Sequence, residues 1–273
     1  MTSPQDKPSE KGGNLKMKNP KSILITGGSS GLGEALCLSY AAPGIHITFN
    51  GRDKTRVNDL ATRLKKSSAT VDGRVLDVTD RDAMKDWIFE TDDRHPLDLV
   101  IANAGVGTPR GEIENMDEST RYVFDVNLYG VFNTVHPSLI RMAGRGRGQI
   151  AMVSSIAGYM GLGNTPAYSA SKVAVKAYGR ALRTHYMNSG MEISVICPGW
   201  ILTRMTEPFK EKVPIWTSMD WAVRFIRSGL ERNRGLISFP PSLRFLIWWM
   251  LSWPDYVIDR IHPRVMKSGR MRR

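Results

Sequence analysis

A tyrosine and a lysine stand four residues apart in the stretch Tyr168-Ser-Ala-Ser-Lys172. On a helix, this spacing puts the phenol and the ammonium on one face. The ordinary pKa of tyrosine is about 10, and a neighbouring ammonium lowers it by stabilising the phenolate. The pair therefore predicts a general acid for carbonyl reduction, or a general base for alcohol oxidation. The alternative, a surface tyrosine beside a solvated lysine, is not excluded by the pair alone.

Two further polar residues extend this constellation. Ser155 follows an apolar run and precedes Tyr168 by thirteen residues. Its hydroxyl is suited to stabilising negative charge that develops on a substrate oxygen. Asn127 lies in an apolar helical stretch, where its side-chain amide must find hydrogen-bond partners. We expect Asn127 to hold a water molecule or the backbone behind Lys172.

A glycine-rich turn follows the first apolar run, with the sequence Thr26-Gly27-Gly28-Ser29-Ser30-Gly31-Leu32-Gly33. Glycines let the backbone turn sharply and approach a pyrophosphate closely, and the helix that follows offers free N–H groups to that anion. An ordinary strand-to-helix turn is the alternative interpretation. The spacing is TGxxxGxG, and the turn lacks the GK[ST] ending of a P-loop, so nucleotide hydrolysis has no support.

The end of the second apolar run bears on which dinucleotide would bind. It reads Phe49-Asn50-Gly51-Arg52-Asp53. An acidic residue at this place binds the 2′-hydroxyl of NAD, whereas an arginine accommodates the 2′-phosphate of NADP. Gly51 stands where the acid is expected and Arg52 follows it, which favours NADP over NAD. Asp53 as the ribose-binding acid, or Arg52 as a solvated turn residue, are the alternatives.

Apolar runs alternate with amphipathic stretches from residue 21 onward. This alternation predicts an α/β fold with right-handed crossovers, a doubly wound parallel sheet of Rossmann type with helices on both faces, and a C-terminal aromatic helical extension. Such sheets bind ligands beyond the carboxyl ends of their strands. The predicted strands are 22–26, 45–49, 74–76, 97–102, 149–154, 192–197 and 236–239, and the predicted helices are 32–40, 54–64, 81–90, 119–142, 165–188 and 221–231.

The length and charge of the chain limit the remaining choices. Its 273 residues carry a net charge of +12, and the last fourteen carry six basic residues and no acid. We expect a flexible tail over residues 1–19, a catalytic domain over 20–240 and an extension over 241–273. No nucleic-acid-binding pattern is found. The two cysteines make no CxxC pair and the five histidines are scattered, so we expect a reducing, cytoplasmic location and no metal site.

The extension is rich in tryptophan and is followed by the basic end of the chain. Its apolar run 245–251 is far shorter than a membrane span. We consider it as a cover over the substrate cleft, as a subunit contact, or as a helix lying on an anionic membrane surface. The prolines at 240, 241 and 254 favour the first two interpretations. Apolar surface near the site would suit a lipophilic substrate.

Taken together, these motifs resemble the short-chain dehydrogenase/reductase family over residues of about 21–239. The resemblance implies a catalytic tetrad of Asn127, Ser155, Tyr168 and Lys172, with Lys172 also bonded to the nicotinamide ribose. It implies that Asp77 and Val78 bind adenine, that Asn103, Ala104 and Gly105 support the adenosine ribose, and that the turn Pro198-Gly199 leads to Ile201 and Thr203, which orient the carboxamide. Ala102 departs from the family, which often has a second asparagine there.

The predicted function is NAD(P)-dependent oxidoreduction, with NADPH reducing a ketone or aldehyde to an alcohol, or the reverse. The resemblance suggests a homodimer or homotetramer. Two other functions remain open: a non-catalytic regulator that binds NADP, and a reductase of a lipid-like substrate at the membrane periphery. All four tetrad residues are present, which favours an enzyme over a regulator.

Overall fold

The computed structural model describes residues 19–107, 115–163, 165–207, 216–254 and 256–258. In these ranges, seven strands form one parallel sheet in the order β3-β2-β1-β4-β5-β6-β7. The strands are β1 (Ser22–Ile25), β2 (His46–Gly51), β3 (Thr70–Val75), β4 (Leu99–Ala102), β5 (Gly148–Val153), β6 (Met191–Pro198) and β7 (Leu236–Phe239). The predicted Rossmann-type sheet is confirmed.

Eight α-helices connect or follow these strands between residues 31 and 251 of the described ranges. They are α1 (Gly31–Tyr40), α2 (Lys54–Lys65), α3 (Arg81–Arg94), α4 (Met116–Phe124), α5 (Gly130–Gly144), α6 (Pro166–His185), α7 (Met219–Glu231) and α8 (Pro241–Leu251). A π-helical turn, Asp125–Tyr129, joins α4 to α5, and a 3₁₀ turn, Ile156–Tyr159, precedes α6.

The helices cover both faces of the sheet, and successive strand residues point into opposite cores. Ile23 and Ile25 of β1 pack in one buried cluster with α1, α2 and α7. Leu24, between them, packs in the other with α3, α5 and α6. Burial on both faces explains why these strands are unbroken apolar runs.

The order of the strands determines where a ligand can bind. β1 pairs with β2 on one side and with β4 on the other, so the chain changes direction across the sheet between these two strands. The helices that follow β1 and β4 lie on opposite faces of the sheet, which leaves a crevice at the carboxyl edge. The glycine-rich turn after β1 and the segments after β4, β5 and β6 all lie along this edge.

Two predicted elements differ from the structure. The stretch 119–142 is not one helix, because the π turn inserts an extra residue into the hydrogen-bond ladder between α4 and α5. The third strand begins at Thr70 rather than at residue 74. β3 is an edge strand whose residues are partly exposed, so half of it lacks the apolar pattern of the central strands.

The two ends of the chain are described only in part. Apart from Asn19, the predicted tail 1–19 lies outside the described residues, as does 259–273 at the other end. The predicted extension does begin with a helix, α8. Among the helices of the described ranges, none has both the length and the apolar character needed to cross a bilayer.

Candidate active site

The turn between β1 and α1 depends on glycine at two positions with left-handed backbone. Gly27 has φ of +63° and Gly31 has φ of +57°. The amide of Gly27 donates to Asn50 Oδ1 at 3.1 Å, which ties the turn to the end of β2. A Cβ atom on Gly27 would lie 2.8 Å from the Cα atom of Ala104. The turn therefore lies tightly over the end of β4, as close approach to a ligand requires.

Polar contacts between Thr26 and Asn103 hold this turn in place. Thr26 Oγ1 accepts from the amides of Asn103 at 3.1 Å and Ala104 at 3.3 Å. The side-chain amide of Asn103 donates to the carbonyl of Thr26 at 3.0 Å. A Cβ atom on Gly33 would lie 2.5 Å from Asn103 Nδ2. The side chain of Asn103 thus binds the glycine-rich turn.

A cleft of about 700 Å³ opens above the turn. Most of the predicted site residues line it: Gly27, Ser29, Ser30, Gly31, Leu32, Arg52, Val78, Asn103, Ala104, Gly105, Ser155, Tyr168, Lys172, Pro198, Gly199, Ile201 and Thr203. Most of the predicted cofactor-binding residues and three of the four predicted catalytic residues thus share one cavity, although they come from seven separate segments.

Four predicted residues, Thr26, Gly33, Asp77 and Asn127, are not among those that line the cleft. Thr26 and Gly33 support the turn, and Asn127 is fully buried. Asp77 Oδ1 accepts from the amide and the hydroxyl of Thr79, both at 2.9 Å. Its other carboxylate oxygen lies 3.7 Å from the guanidinium of Arg52.

Sequence reasoning missed two arginines of α2 that line the cleft. Arg56 and Arg63 on α2 line it together with Arg52. Arg63 pairs with Glu34 of α1 at 2.6 Å, and Arg56 pairs with Asp53 at 2.9 Å. The sequence did contain a signal for them, because a spacing of seven residues places both arginines on one face of the helix. They bring two more guanidinium groups to this end of the cleft, each paired with a carboxylate.

Arg52 lies at the rim of the cleft, on the turn after β2. Its Nη1 atom donates to the hydroxyl of Tyr122 at 3.0 Å. The hydrogen bond to Tyr122 and the nearby Asp77 raise the pKa of Arg52. Gly51 precedes it, and a Cβ atom there would lie 2.7 Å from Ser29 Cβ. An acidic side chain at position 51 would therefore collide with the glycine-rich turn.

Helix α6 carries Tyr168 and Lys172 into the cleft. Pro166 occupies its first turn, where proline is favourable. Lys172 is buried, and its Nζ atom donates to the carbonyl of Val153 at 3.0 Å. Ser154 Oγ donates to the carbonyl of Lys172 at 2.7 Å, which joins α6 to the end of β5. Burial lowers the pKa of Lys172 to about 8.

The pKa of Tyr168 is raised, not lowered as the sequence suggested. Burial of the phenol is the dominant cause, and the hydrogen bond with the Ser155 side chain acts in the opposite direction. The ammonium of Lys172 lies 5.7 Å from the centre of the tyrosine ring and is directed to a main-chain carbonyl. The phenol therefore keeps its proton at neutral pH.

Asn127 holds the backbone next to Lys172. Its Oδ1 atom accepts from the amide of Val106 at 2.8 Å, and Nδ2 donates to the carbonyl of the same residue at 3.0 Å. A Cβ atom on Gly105 would lie 3.1 Å from Asn127 Oδ1 and 3.2 Å from Lys172 Nζ. The backbone of Gly105 thus passes between these two side chains, which leaves little room for any other residue.

The segment after β6 forms the wall of the cleft that faces the glycine-rich turn. Thr206 Oγ1 donates to the carbonyl of Ile201 at 2.5 Å and accepts from the amide of Thr203 at 2.9 Å. A Cβ atom on Gly31 would lie 3.5 Å from Thr203 Cγ2, so this segment reaches the glycine-rich turn across the cleft.

Neither metal nor thiol chemistry is suggested by the described part of the chain. No three His, Cys, Asp or Glu side chains in it come together in a way that could hold a metal ion. The expectation of no metal site stays a prediction. Cys37 and Cys197 are free, buried thiols, and burial raises the pKa of Cys197 to about 11.

A seven-stranded doubly wound sheet with a glycine-rich turn and a Tyr-Lys pair at its switch point defines a Rossmann-type oxidoreductase. The family model for short chain dehydrogenases matches residues 21–214. The chain belongs to the short-chain dehydrogenase/reductase family, and it is an oxidoreductase of that family.

Similar proteins agree with this assignment. An uncharacterized oxidoreductase of Myxococcus xanthus is 34% identical over 224 residues, which is 82% of this chain and 88% of the relative. A 3-oxoacyl-[acyl-carrier-protein] reductase of Thermotoga maritima is 31% identical over 193 residues, covering 70% and 78%. The solved structure of a short-chain dehydrogenase from Sphingobium yanoikuyae, in complex with NADPH, superposes with a TM-score of 0.75 at 22% identity, covering 92% of this chain and 97% of that one.

Proposed function

We propose that this enzyme uses NADPH to reduce a ketone or aldehyde to an alcohol, or catalyses the reverse, with Tyr168 as the general acid or base. One observation carries the proposal. The phenol of Tyr168, the hydroxyl of Ser155 and the buried ammonium of Lys172 line the same cleft as the glycine-rich turn. This is the arrangement that proton transfer beside a dinucleotide requires.

The shape of the cleft fits a phosphorylated dinucleotide. Ser30, at the N-cap of α1, makes no side-chain cap hydrogen bond, so the positive end of this helix opens into the cleft. Gly27 lets the backbone approach closely, as its contact with Ala104 demonstrates. A pyrophosphate would lie over this turn. The S. yanoikuyae structure, which shares the fold, contains NADPH.

The preference for NADP rests on charge and space at the end of β2. Arg52 places a guanidinium at the rim, and Arg56 lines the same end. A 2′-phosphate would gain charge-assisted hydrogen bonds from such groups. Gly51 leaves no room for the acid that binds the 2′-hydroxyl of NAD. Both observations favour the phosphorylated cofactor.

The side chains of the cleft can carry out the proton transfer. When bound, the dinucleotide supplies a hydride to the carbonyl carbon. Tyr168, whose raised pKa keeps it protonated, donates its proton to the carbonyl oxygen. Ser155 donates a hydrogen bond to that oxygen as negative charge develops. Lys172 holds positive charge beside the phenol, and Asn127 fixes the backbone behind both.

The substrate that we propose is an apolar carbonyl compound or alcohol. The cleft wall next to the tetrad includes Val106, Ile201 and Met205. Such side chains favour an apolar ligand over a sugar or a polyol. The T. maritima relative is a reductase of 3-oxoacyl chains, which agrees with this class.

The proposal includes a homo-oligomer in a reducing compartment, the cytoplasm. Large apolar side chains are exposed at Tyr129, Ile140 and Val173, on the π turn, α5 and α6. Packing of two copies would cover such residues. The two free, buried thiols suit the cytoplasm.

The proposal is tested by replacing Tyr168 with phenylalanine, which removes only the hydroxyl. NADPH oxidation, followed over a panel of ketones, should fall about 10²–10⁴-fold, while NADPH affinity stays within a few-fold. Tyr178→Phe is the matched control, because Tyr178 lies on the same helix and bonds His136 instead. Turnover by Tyr168→Phe near the wild-type rate would refute the assignment.

A non-catalytic regulator would behave differently in the same assay. The wild-type protein would bind NADPH with no turnover of any ketone, aldehyde or alcohol in the panel. That result would favour the regulator. Replacement of Tyr168 would then change no measurable activity.

A further inference from the structure

Helix α8 is apolar on every side. Its sequence, PSLRFLIWWML, contains one charged residue, Arg244, and no acid. Ile247 is buried against the body of the protein, and Leu243 and Met250, four residues before it and three after it, are half-buried. The rest of the helix faces solvent. Helices that are hydrophobic all round are normally buried, so α8 has an uncovered side.

The uncovered side of α8 and the residues just after it form an aromatic face. Its most exposed members are Phe245 at 65% and Trp248 at 63% of their full accessible surface. Its other members are Leu246, Trp249, Leu251 and Trp253. A contiguous apolar patch of this kind marks a site of interaction.

The sequence that follows the aromatic face is rich in basic residues. Residues 259–273 contain six basic side chains and one acid, a net +5. Asp255 is the other acid after α8. An occupant that matches both features would have an apolar interior and an anionic surface.

We propose that the aromatic face docks onto an anionic lipid bilayer. Tryptophan prefers the boundary between lipid headgroups and acyl chains, and basic residues beside it are attracted to anionic headgroups. α8 has eleven residues, which span about 16 Å and are too few to cross the hydrocarbon core, so the helix lies along the surface.

A second copy of the chain fits the face less well. A symmetric contact through α8 places the same surface of both copies together. The basic ends that follow α8 would then be brought together, and their like charges repel. A bilayer of anionic lipids instead attracts them.

The position of α8 brings the bilayer close to the cleft. The helix starts directly after Pro240, and a Cβ atom on Gly199 would lie 2.8 Å from Pro240 Cδ. Gly199 lines the cleft. The family model ends at residue 214, so α8 is a feature of this chain outside the matched region. Membrane binding does not depend on the proposed reaction.

Flotation of the full-length protein with lipid vesicles tests the proposal. Vesicles of phosphatidylcholine with phosphatidylglycerol should carry at least about tenfold more protein than vesicles of phosphatidylcholine alone, and high salt should reduce the difference. Tryptophan fluorescence should be quenched by brominated acyl chains in the anionic vesicles. Absence of flotation, or of quenching, would overturn the proposal without any variant.

Paired variants locate the contact. Phe245→Ser with Trp248→Ser should lower flotation at least about tenfold. Met116→Ser with Met187→Ser removes exposed apolar residues from other parts of the surface, and should keep flotation within twofold. Unchanged thermal unfolding and unchanged NADPH binding establish that each variant is folded.

Three results would contradict docking through α8. The first is flotation of the Phe245/Trp248 variant at the wild-type level. The second is loss of flotation only when residues 260–273 are removed, which would make the contact purely electrostatic. The third is a fall in oligomer size in the Phe245/Trp248 variant, with no vesicle binding by the wild-type protein, which would assign the face to a second copy.

Discussion

Asn127 pairs with both main-chain groups of Val106, accepting from its amide at 2.8 Å and donating to its carbonyl at 3.0 Å. The two residues are 21 positions apart, and each belongs to a segment without regular α-helix or strand at that point. Asn127 lies in the π turn, which rotates its side chain towards the end of β4. The side-chain amide of Asn127 thus makes the two hydrogen bonds that a neighbouring strand would make, and it holds the cleft wall at Val106.

We predict that Asn127→Asp destabilises the protein by about 2–3 kcal/mol. The carboxylate can still accept from the amide of Val106 but cannot donate to its carbonyl, so the half-buried carbonyl of Val106 would face a buried anion. Urea unfolding measures the change. Asn133→Ala is the control, because Asn133 donates to the carbonyl of Val78 from a less buried position. A larger loss of stability in the control than in Asn127→Asp would contradict the argument.

Replacement of Arg52 with alanine should weaken NADPH binding about 10–100-fold and change NADH binding less than twofold. The guanidinium is held at the rim by Tyr122 and would bond the 2′-phosphate, which NADH lacks. Titration of each cofactor by fluorescence measures both affinities. Arg121→Ala, which removes an exposed arginine paired with Asp117, should leave both unchanged. If Arg52→Ala weakened the binding of NADPH and of NADH equally, the proposed contact between Arg52 and the 2′-phosphate would be refuted.

The pKa of Lys172 predicts how stability depends on pH. Burial lowers it from 10.5 to about 8, so between these values the unfolded chain binds more protons than the folded one. The stability of the wild-type protein should therefore rise with pH from about 8 to 10.5, by about 3 kcal/mol relative to Lys172→Met. Urea unfolding at a series of pH values measures this difference.

Lys65→Met, at an exposed position on α2, is the control for the pH series and should follow the wild-type curve. If the difference between the wild-type protein and Lys172→Met were the same at every pH, the ammonium of Lys172 would not be the buried cation that the structure describes.

The sequence alone predicted much of the fold and of the site because those features are local. Central strands buried on both faces must be continuous apolar runs, and parallel strands bring their carboxyl ends to one edge. The glycine-rich turn and Ser155 each follow a strand. Tyr168 and Lys172 lie four residues apart on one helix. Their assembly in one cleft follows from topology.

Only the tertiary structure decided features that depend on partners distant in the chain. The π turn around Asn127 has no signature in hydrophobic periodicity, since it is stabilised by contacts with Val106 and Ser171. The edge strand β3 is partly exposed and lacks an apolar run. The pKa of Tyr168 rises because folding removes water from the phenol, an effect that the spacing to Lys172 does not reveal. Neighbours in sequence determine which groups are available, whereas burial determines how they titrate.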